Sequence, residues 1–163
     1  PNYIEQAESV KPQQITALFN ALRKEFSYII VDMSSNIDEN SLKILDCSDW
    51  ILFTTIVNIP AIRNAQRCLN LFRSRRYPKD KVKIVVNRYM DNDEIKIEDI
   101  ENTLAEKVYW KIPNNYFTIM EAINKGITIS EANPASNISN SFRDFASKVS
   151  DDIIEQSVLQ YRV

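Results

Sequence analysis

The sequence predicts an α/β protein: a mostly parallel sheet with helices on both of its faces. Two observations carry that expectation. Short runs at 28–32, 50–55, 83–86 and 108–112 read as strands, and the first, rich in β-branched residues, has the composition of a strand buried on both faces. Between them the apolar residues recur at the three-and-four spacing of one helical face, and this alternation of strands and helices is the pattern of a parallel sheet.

Along the chain, residues 3–11 read as a polar lead-in. Residues 13–26 place Ile15, Leu18, Phe19 and Leu22 on one helical face. The first strand, 28–32, follows and ends in Asp32. Residues 36–40 are turn-rich, 41–47 suit a short helix, and 50–55 form the second buried strand. Pro60 fits the first turn of the next helix, where its missing N–H is tolerated. That helix runs to about Arg75 with Ile62, Ala65, Leu69 and Phe72 facing inward, and Tyr77-Pro78 stops it. A third strand at 83–86 leads to a polar loop at 91–94. The helix at 97–104 opens with acidic side chains, which favour a helix N-terminus. The fourth strand, 108–112, ends in Pro113, and a helix at 115–125 closes on Gly126, the usual left-handed C-cap residue. Asn133-Pro134 breaks the chain before a long amphipathic helix, or a pair of helices, over 135–159. Its apolar side, with Ile138, Phe142, Phe145, Val149 and Ile153, suits packing on the sheet, and its acidic residues argue against a membrane-surface helix. Right-handed crossovers then bring the strand ends, with Asp32, Thr55, Asn87 and Pro113, to one edge, where open α/β sheets bind ligands.

Composition narrows the chemistry. A chain of 163 residues suits one domain with a real core. Twenty basic and 22 acidic residues give a net charge of −2, so no global attraction to nucleic acid is implied. With no histidine, Ser-His-Asp catalysis, histidine bases and histidine metal sites are excluded. The two cysteines, Cys47 and Cys68, lie far apart in sequence and suit reduced structural thiols in a cytoplasmic protein. The apolar run at 50–57 is too short to span a membrane, and no signal-peptide pattern opens the chain. A single glycine, Gly126, cannot build a glycine-rich phosphate loop. Starting at Pro1 on a polar lead-in, the chain reads as a fragment of a longer protein.

Three positions and one row of arginines could carry chemistry. Asp32 at a strand end can hold a Mg²⁺-bound water beside nucleotide phosphates, or simply begin a turn. Asn87, ending Val85-Val86-Asn87-Arg88, offers a donor and an acceptor that match the N6/N7 edge of adenine, or again forms a turn. Pro113 could pack on a base or redirect the chain. Arg63 and Arg67 share a helical face, followed by Arg73, Arg75 and Arg76. That row is a solvated face, or a surface for an acidic partner, a phosphate backbone or a second copy. Tyr77 and Tyr89 read as packing residues, since no basic-aromatic repeat surrounds them.

These pieces fall in a known order. Tyr28-Ile29-Ile30-Val31-Asp32, then Leu45-Asp46-Cys47-Ser48-Asp49-Trp50-Ile51-Leu52, then Ile59-Pro60-Ala61-Ile62-Arg63-Asn64 resemble the MinD/ParA superfamily of deviant Walker A ATPases. Within it they resemble the TadZ/CpaE branch, which takes part in Tad-type pilus assembly. The strings Tyr77-Pro78-Lys79-Asp80-Lys81, Val85-Val86-Asn87-Arg88-Tyr89, Ile97-Glu98-Asp99-Ile100-Glu101, Ile112-Pro113-Asn114-Asn115-Tyr116 and Ala122-Ile123-Asn124-Lys125-Gly126 extend the likeness over about 25–147.

The resemblance implies a P-loop NTPase fold, Rossmann-like and three-layered, lacking its N-terminal P-loop segment. Residues 1–163 would be the C-terminal part of a single ATPase domain. Asp32 would be the Mg²⁺-associated acidic residue and Asn87 the adenine-recognising one, with Arg88 beside it and Pro113 and Asn114 bordering the base. It further implies ATP and Mg²⁺ as cofactors, a homodimer, and a cytoplasmic role in localising a pilus or secretion assembly, recruited to membrane or cell pole through partner proteins. Catalytic lysines would lie upstream of residue 1, so ATP hydrolysis depends on an intact phosphate loop there. Met33-Ser34-Ser35-Asn36 departs from the prolines and glycine usual after the acidic residue, which puts turnover in question. A degenerate, non-enzymatic scaffold is the rival reading. A DNA-partitioning ATPase using Arg63 and Arg67 ranks last, given the net charge.

Overall fold

The computed structural model describes residues 10–160, so all of the polar lead-in except Val10 and Lys11 lies outside the described residues. The chain forms two compact units, Pro1–Ile51 and Leu52–Val163.

In the first unit, α1 (Pro12–Glu25) starts on a proline and buries Ile15 and Phe19, one turn apart on the same face. Helix α2 (Glu39–Cys47) buries Leu45. Asp38 caps α2 by accepting the Ser41 N–H at 2.7 Å, and that bond holds its carboxyl below the usual range. Arg23, in the last turn of α1, donates to the Cys47 carbonyl at 2.9 Å and to the Asp49 carboxylate at 2.7 Å, tying the ends of the two helices together.

The run at 28–32 corrects an expectation. It forms no strand and is not buried on both faces: Ile30 is 95% exposed, and Tyr28 and Val31 are exposed as well. The reason is physical. β-branched residues favour extended backbone, but only a hydrogen-bonded neighbour and covering layers turn it into a buried strand. Among the described residues no strand pairs with it.

The second unit holds β1 (Ile51–Ile56) from its second residue on, α3 (Ile59–Ser74), β2 (Val82–Tyr89), α4 (Ile97–Leu104), β3 (Val108–Pro113), α5 (Tyr116–Lys125), a one-turn α6 (Ile129–Ala132) and α7 (Asn137–Gln160). The C-terminal segment is therefore one long helix preceded by a short one. The three strands form a sheet in the order β1-β2-β3, with β2 and β3 parallel.

Side chains alternate across β2 and so assign its faces. Val85 packs with Ile112 of β3 and Ile138 of α7, and Trp110, Ile119, Ile129 and Phe145 close around them. The Trp110 and Phe145 rings stack at 5.7 Å, while the Trp110 indole donates to Ser141 Oγ at 3.2 Å. Ile84 and Val86 point the other way. On that side α3 buries Ile62, Ala65, Leu69 and Phe72, and α4 buries Ile100 and Leu104. The two helices are joined where Arg73 donates to the Leu104 carbonyl at 2.8 Å. Helices thus cover both faces, as the sequence predicts. Strand β1 is less enclosed than expected: Phe53 meets Phe72 edge-on and Thr55 is buried, but Leu52 and Thr54 on its other face are exposed.

Turn chemistry places the helices. Asn58 caps α3 by accepting the Ala61 N–H at 2.8 Å, and Asn115 caps α5 through the Thr118 N–H at 3.3 Å. Thr128 and Glu131 form a reciprocal capping box around α6. Gly126 ends α5 with φ of 64°.

Candidate functional site

The sequence-predicted residues of the second unit converge at the C-terminal ends of β2 and β3. The ladder between these strands shifts register between Ile84 and Val85, shifts again after Val86, and resumes with Tyr89 opposite Pro113. At the slip Arg88 takes φ of 54°, the left-handed region, and its N–H donates to its neighbour's Asn87 Oδ1 at 2.8 Å. One residue further, the Asn114 N–H donates to the Tyr89 carbonyl at 2.9 Å. These bonds bring Asn87, Arg88, Pro113 and Asn114 onto one edge.

The Asn87 side chain is half-buried, and the Arg88 bond uses only one of the two lone pairs on its oxygen. Among the described residues its Nδ2 has no partner. It therefore keeps one acceptor site and its amide donor in a fixed orientation, the pair a purine's N6/N7 edge requires. Pro113 offers an apolar, half-buried ring beside it, while Asn114 is exposed.

A loop that sequence reasoning passed over as merely polar fastens this edge. The Met90 N–H donates to Asp93 Oδ2 at 2.9 Å. The Lys96 ammonium donates to the carbonyls of Asp93 at 2.7 Å and Asp91 at 3.2 Å. Asn114 Nδ2 then reaches Met90 Sδ at 3.4 Å. Asp93 was the visible signal, as a side chain that bonds to nearby backbone.

Asp32 lies in the first unit, exposed and outside any helix or strand rather than at a strand end. Among the described residues no group of three or more ligating side chains could hold a metal by itself. A lone carboxylate such as Asp32 suits Mg²⁺ when waters and phosphate oxygens supply the remaining ligands. Thr55 is buried, and among the described residues its hydroxyl oxygen has no hydrogen-bond partner.

The arginine row splits. Arg73 pairs with Glu106 at 3.0 Å, and Arg75 lies over the Tyr77 ring. Arg63 and Arg67 stay exposed on α3. Tyr77 stacks on Phe72 at 5.7 Å, a packing residue as expected. Tyr109 is also structural: its hydroxyl donates to Asp152 at 2.7 Å, and burial with that bond pushes the phenol far up. Both cysteines are free, and burial pushes the Cys68 thiol up, away from reactivity. No helix among the described residues is long and apolar enough to cross a membrane.

No family model matches the chain. Among curated proteins, the septum site-determining protein MinD of Thermotoga maritima is 26% identical over 147 residues, which cover 87% of this chain and 54% of the relative. MinD of Bacillus subtilis is 24% identical over 156 residues, covering 93% and 58%. Among solved structures, the ParA family ATPase of Chlorobium tepidum matches with a TM-score of 0.83 at 24% identity, over 90% of this chain and 61% of that one. The cell division ATPase MinD of Pyrococcus furiosus matches at 0.74 and 19%, over 91% and 62%. MinD in the MinC:MinD cell division complex of Aquifex aeolicus matches at 0.76 and 20%, over 87% and 60%. The chain spans about half the length of the curated relatives it matches. The chain is similar in sequence to MinD proteins, and its α/β fold is that of the P-loop MinD and ParA ATPase structures it matches.

Proposed function

We propose that the chain is the C-terminal part of one ATPase domain of the MinD/ParA type, in a protein that binds ATP with Mg²⁺. The observation that carries this reading is the strand-end cluster, where Asn87 presents a fixed donor and acceptor beside Pro113. In this reading Asn87 reads the adenine edge, Pro113 and Asn114 border the base, and Asp32 orients a water on the metal. The metal would neutralise phosphate charge when bound.

The one glycine of the chain is a helix cap, so the phosphate loop and its lysines belong to sequence outside these residues. Hydrolysis, where it occurs, is phosphoryl transfer to water driven by positioning and charge stabilisation. We further infer a homodimer of the TadZ/CpaE branch that localises a pilus or secretion assembly. The order of sequence strings from Tyr28 to Gly126 supports that finer assignment. The second reading, a scaffold that binds nucleotide weakly or not at all, is favoured by Met33-Ser34-Ser35-Asn36 after Asp32.

Asp32→Ala in the full-length natural protein separates the two. We expect Mg²⁺-dependent ATP affinity to fall about tenfold or more, measured by calorimetry with and without Mg²⁺. An affinity unchanged in both conditions would remove Asp32 from the metal site.

A further inference from the structure

Charge is spread unevenly along the chain. Residues 73–83 hold six of its 20 basic residues and one of its 22 acidic ones, so this stretch is +5 while the remainder is −7. It runs from the last turn of α3 through a short 3₁₀ turn (Lys79–Lys81) into the start of β2. Two of its cations are engaged within the fold: Arg73 pairs with Glu106 at 3.0 Å, and Lys83 lies over the Tyr109 ring, whose hydroxyl donates to Asp152. The other four gather around one aromatic ring. Tyr77 stacks on the buried Phe72 at 5.7 Å, which fixes its place. Arg75 Cζ lies 5.9 Å from the Tyr77 ring centre and Lys81 Nζ 4.6 Å. The negative face of the ring offsets part of the repulsion between cations drawn to it. Arg76 and Lys79 flank Tyr77 in sequence and are exposed, and among the described residues neither side chain makes a hydrogen bond or ion pair. Arg76 also takes left-handed backbone, with φ of 59°, just past the C-cap of α3, where glycine is the usual occupant. The fold accepts an unfavoured backbone there for a side chain that none of the described residues uses.

We propose that this surface binds a short acidic peptide segment of a partner protein, its carboxylates taken by Arg75, Arg76, Lys79 and Lys81. The planar fork of arginine matches a carboxylate through two parallel hydrogen bonds. Asp80 is the sole acidic residue within the stretch. The size of the patch selects among anions. Exposed charges act over about 8–10 Å at physiological salt. A DNA duplex or an anionic membrane reaches well past that distance and meets a remainder that is −7. A single-stranded nucleic acid needs a bare aromatic face to stack on, and the Tyr77 ring is already covered by Phe72 and Lys81. A short acidic segment stays within the patch. The surface lies at the start of β2, roughly 15–20 Å of strand away from Asn87 near its other end. A partner held there leaves the strand-end cluster open.

The test uses the full-length natural protein and a fluorescein-labelled octaglutamate peptide, with binding read by fluorescence anisotropy at about 0.1 M salt and above. The peptide should bind, and more weakly as salt rises. Arg76→Gly combined with Lys79→Ala should lower its affinity roughly fivefold or more. Glycine suits the left-handed position and Lys79 is exposed, so this variant keeps the fold. Arg63→Ala with Arg67→Ala, exposed on α3 outside the patch, should leave the affinity within about twofold. No binding at about 0.1 M salt would overturn the proposal, as would unchanged affinity in the Arg76/Lys79 variant. An equal loss in the Arg63/Arg67 variant would reduce the effect to overall charge and overturn it too. A duplex DNA and phosphatidylglycerol vesicles are run alongside. Tighter binding to either, lost in the Arg76/Lys79 variant, would make the surface one for nucleic acid or membrane and refute the peptide assignment.

Discussion

Two short segments carry nearly the same local sequence and meet different fates. Ile84-Val85-Val86-Asn87 and Ile29-Ile30-Val31-Asp32 each join three branched apolar residues to a polar tip. In the first, the apolar residues are 1%, 1% and 0% exposed, whereas Ile30 in the second is 95% exposed. Strand β2 has β3 beside it and helices over both faces. Residues 29–32 have no pairing strand among the described residues. The difference lies in neighbours, since intrinsic preference for extended backbone is shared by both.

The largest effect that tests this comparison is at Ile138, fully buried against Val85 and Ile112. Ile138→Ala should cost about 2–5 kcal/mol by urea denaturation, because the cavity sits where α7 covers β2 and β3. A loss well below that would mean the helix layer is not what encloses the strands.

A smaller effect is expected where β3 begins. The Glu101 carboxylate accepts from Lys107 Nζ at 2.6 Å and from the Val108 N–H at 2.9 Å, and these bonds hold it below the usual carboxylate range. A carboxyl lowered in the folded state contributes stability above its ordinary value and loses it as pH falls through the lowered one. Glu101→Gln should therefore cost about 1 kcal/mol near neutral pH and approach zero difference in acid. Urea titrations of both proteins across that range check it, and a pH-independent gap would show that the charge is not involved. Smallest of all, Ile30→Ala should stay within about 0.5 kcal/mol. A large loss there would mean that the exposed segment is enclosed by contacts the comparison does not count.

What the sequence made legible was local chemistry. Pro60 at a helix start, the acidic opening of α4 and Gly126 at a C-cap act within a turn or two of themselves. The inner face of α3, with Ile62, Ala65, Leu69 and Phe72, was readable because burial follows the helical period. The doubly buried strand at 28–32 was not, because burial on two faces is a property of what surrounds a segment. At the candidate site, Asn87 and Pro113 could be placed at one edge from strand order, while Arg88 and Asn114 were added by the resemblance. The left-handed turn at Arg88 had no signal, since arginine carries no preference for that region and the cause is the register against β3. Met90, Asp93 and Lys96 were missed for a like reason: their bonds form only once the loop has closed.

The scarcity of glycine reaches beyond the folded molecule. An average chain of this length would carry roughly eleven glycines; this one carries Gly126 alone, at a helix end where a side chain would meet no atom within 4 Å. Glycine widens the conformational range of a denatured chain more than any other residue. Nearly without it, this chain melts into a narrower ensemble, and each residue surrenders less backbone freedom on folding. The strain kept at Arg76, Arg88 and Ala105 is set against an unfolded state with comparatively little entropy to gain.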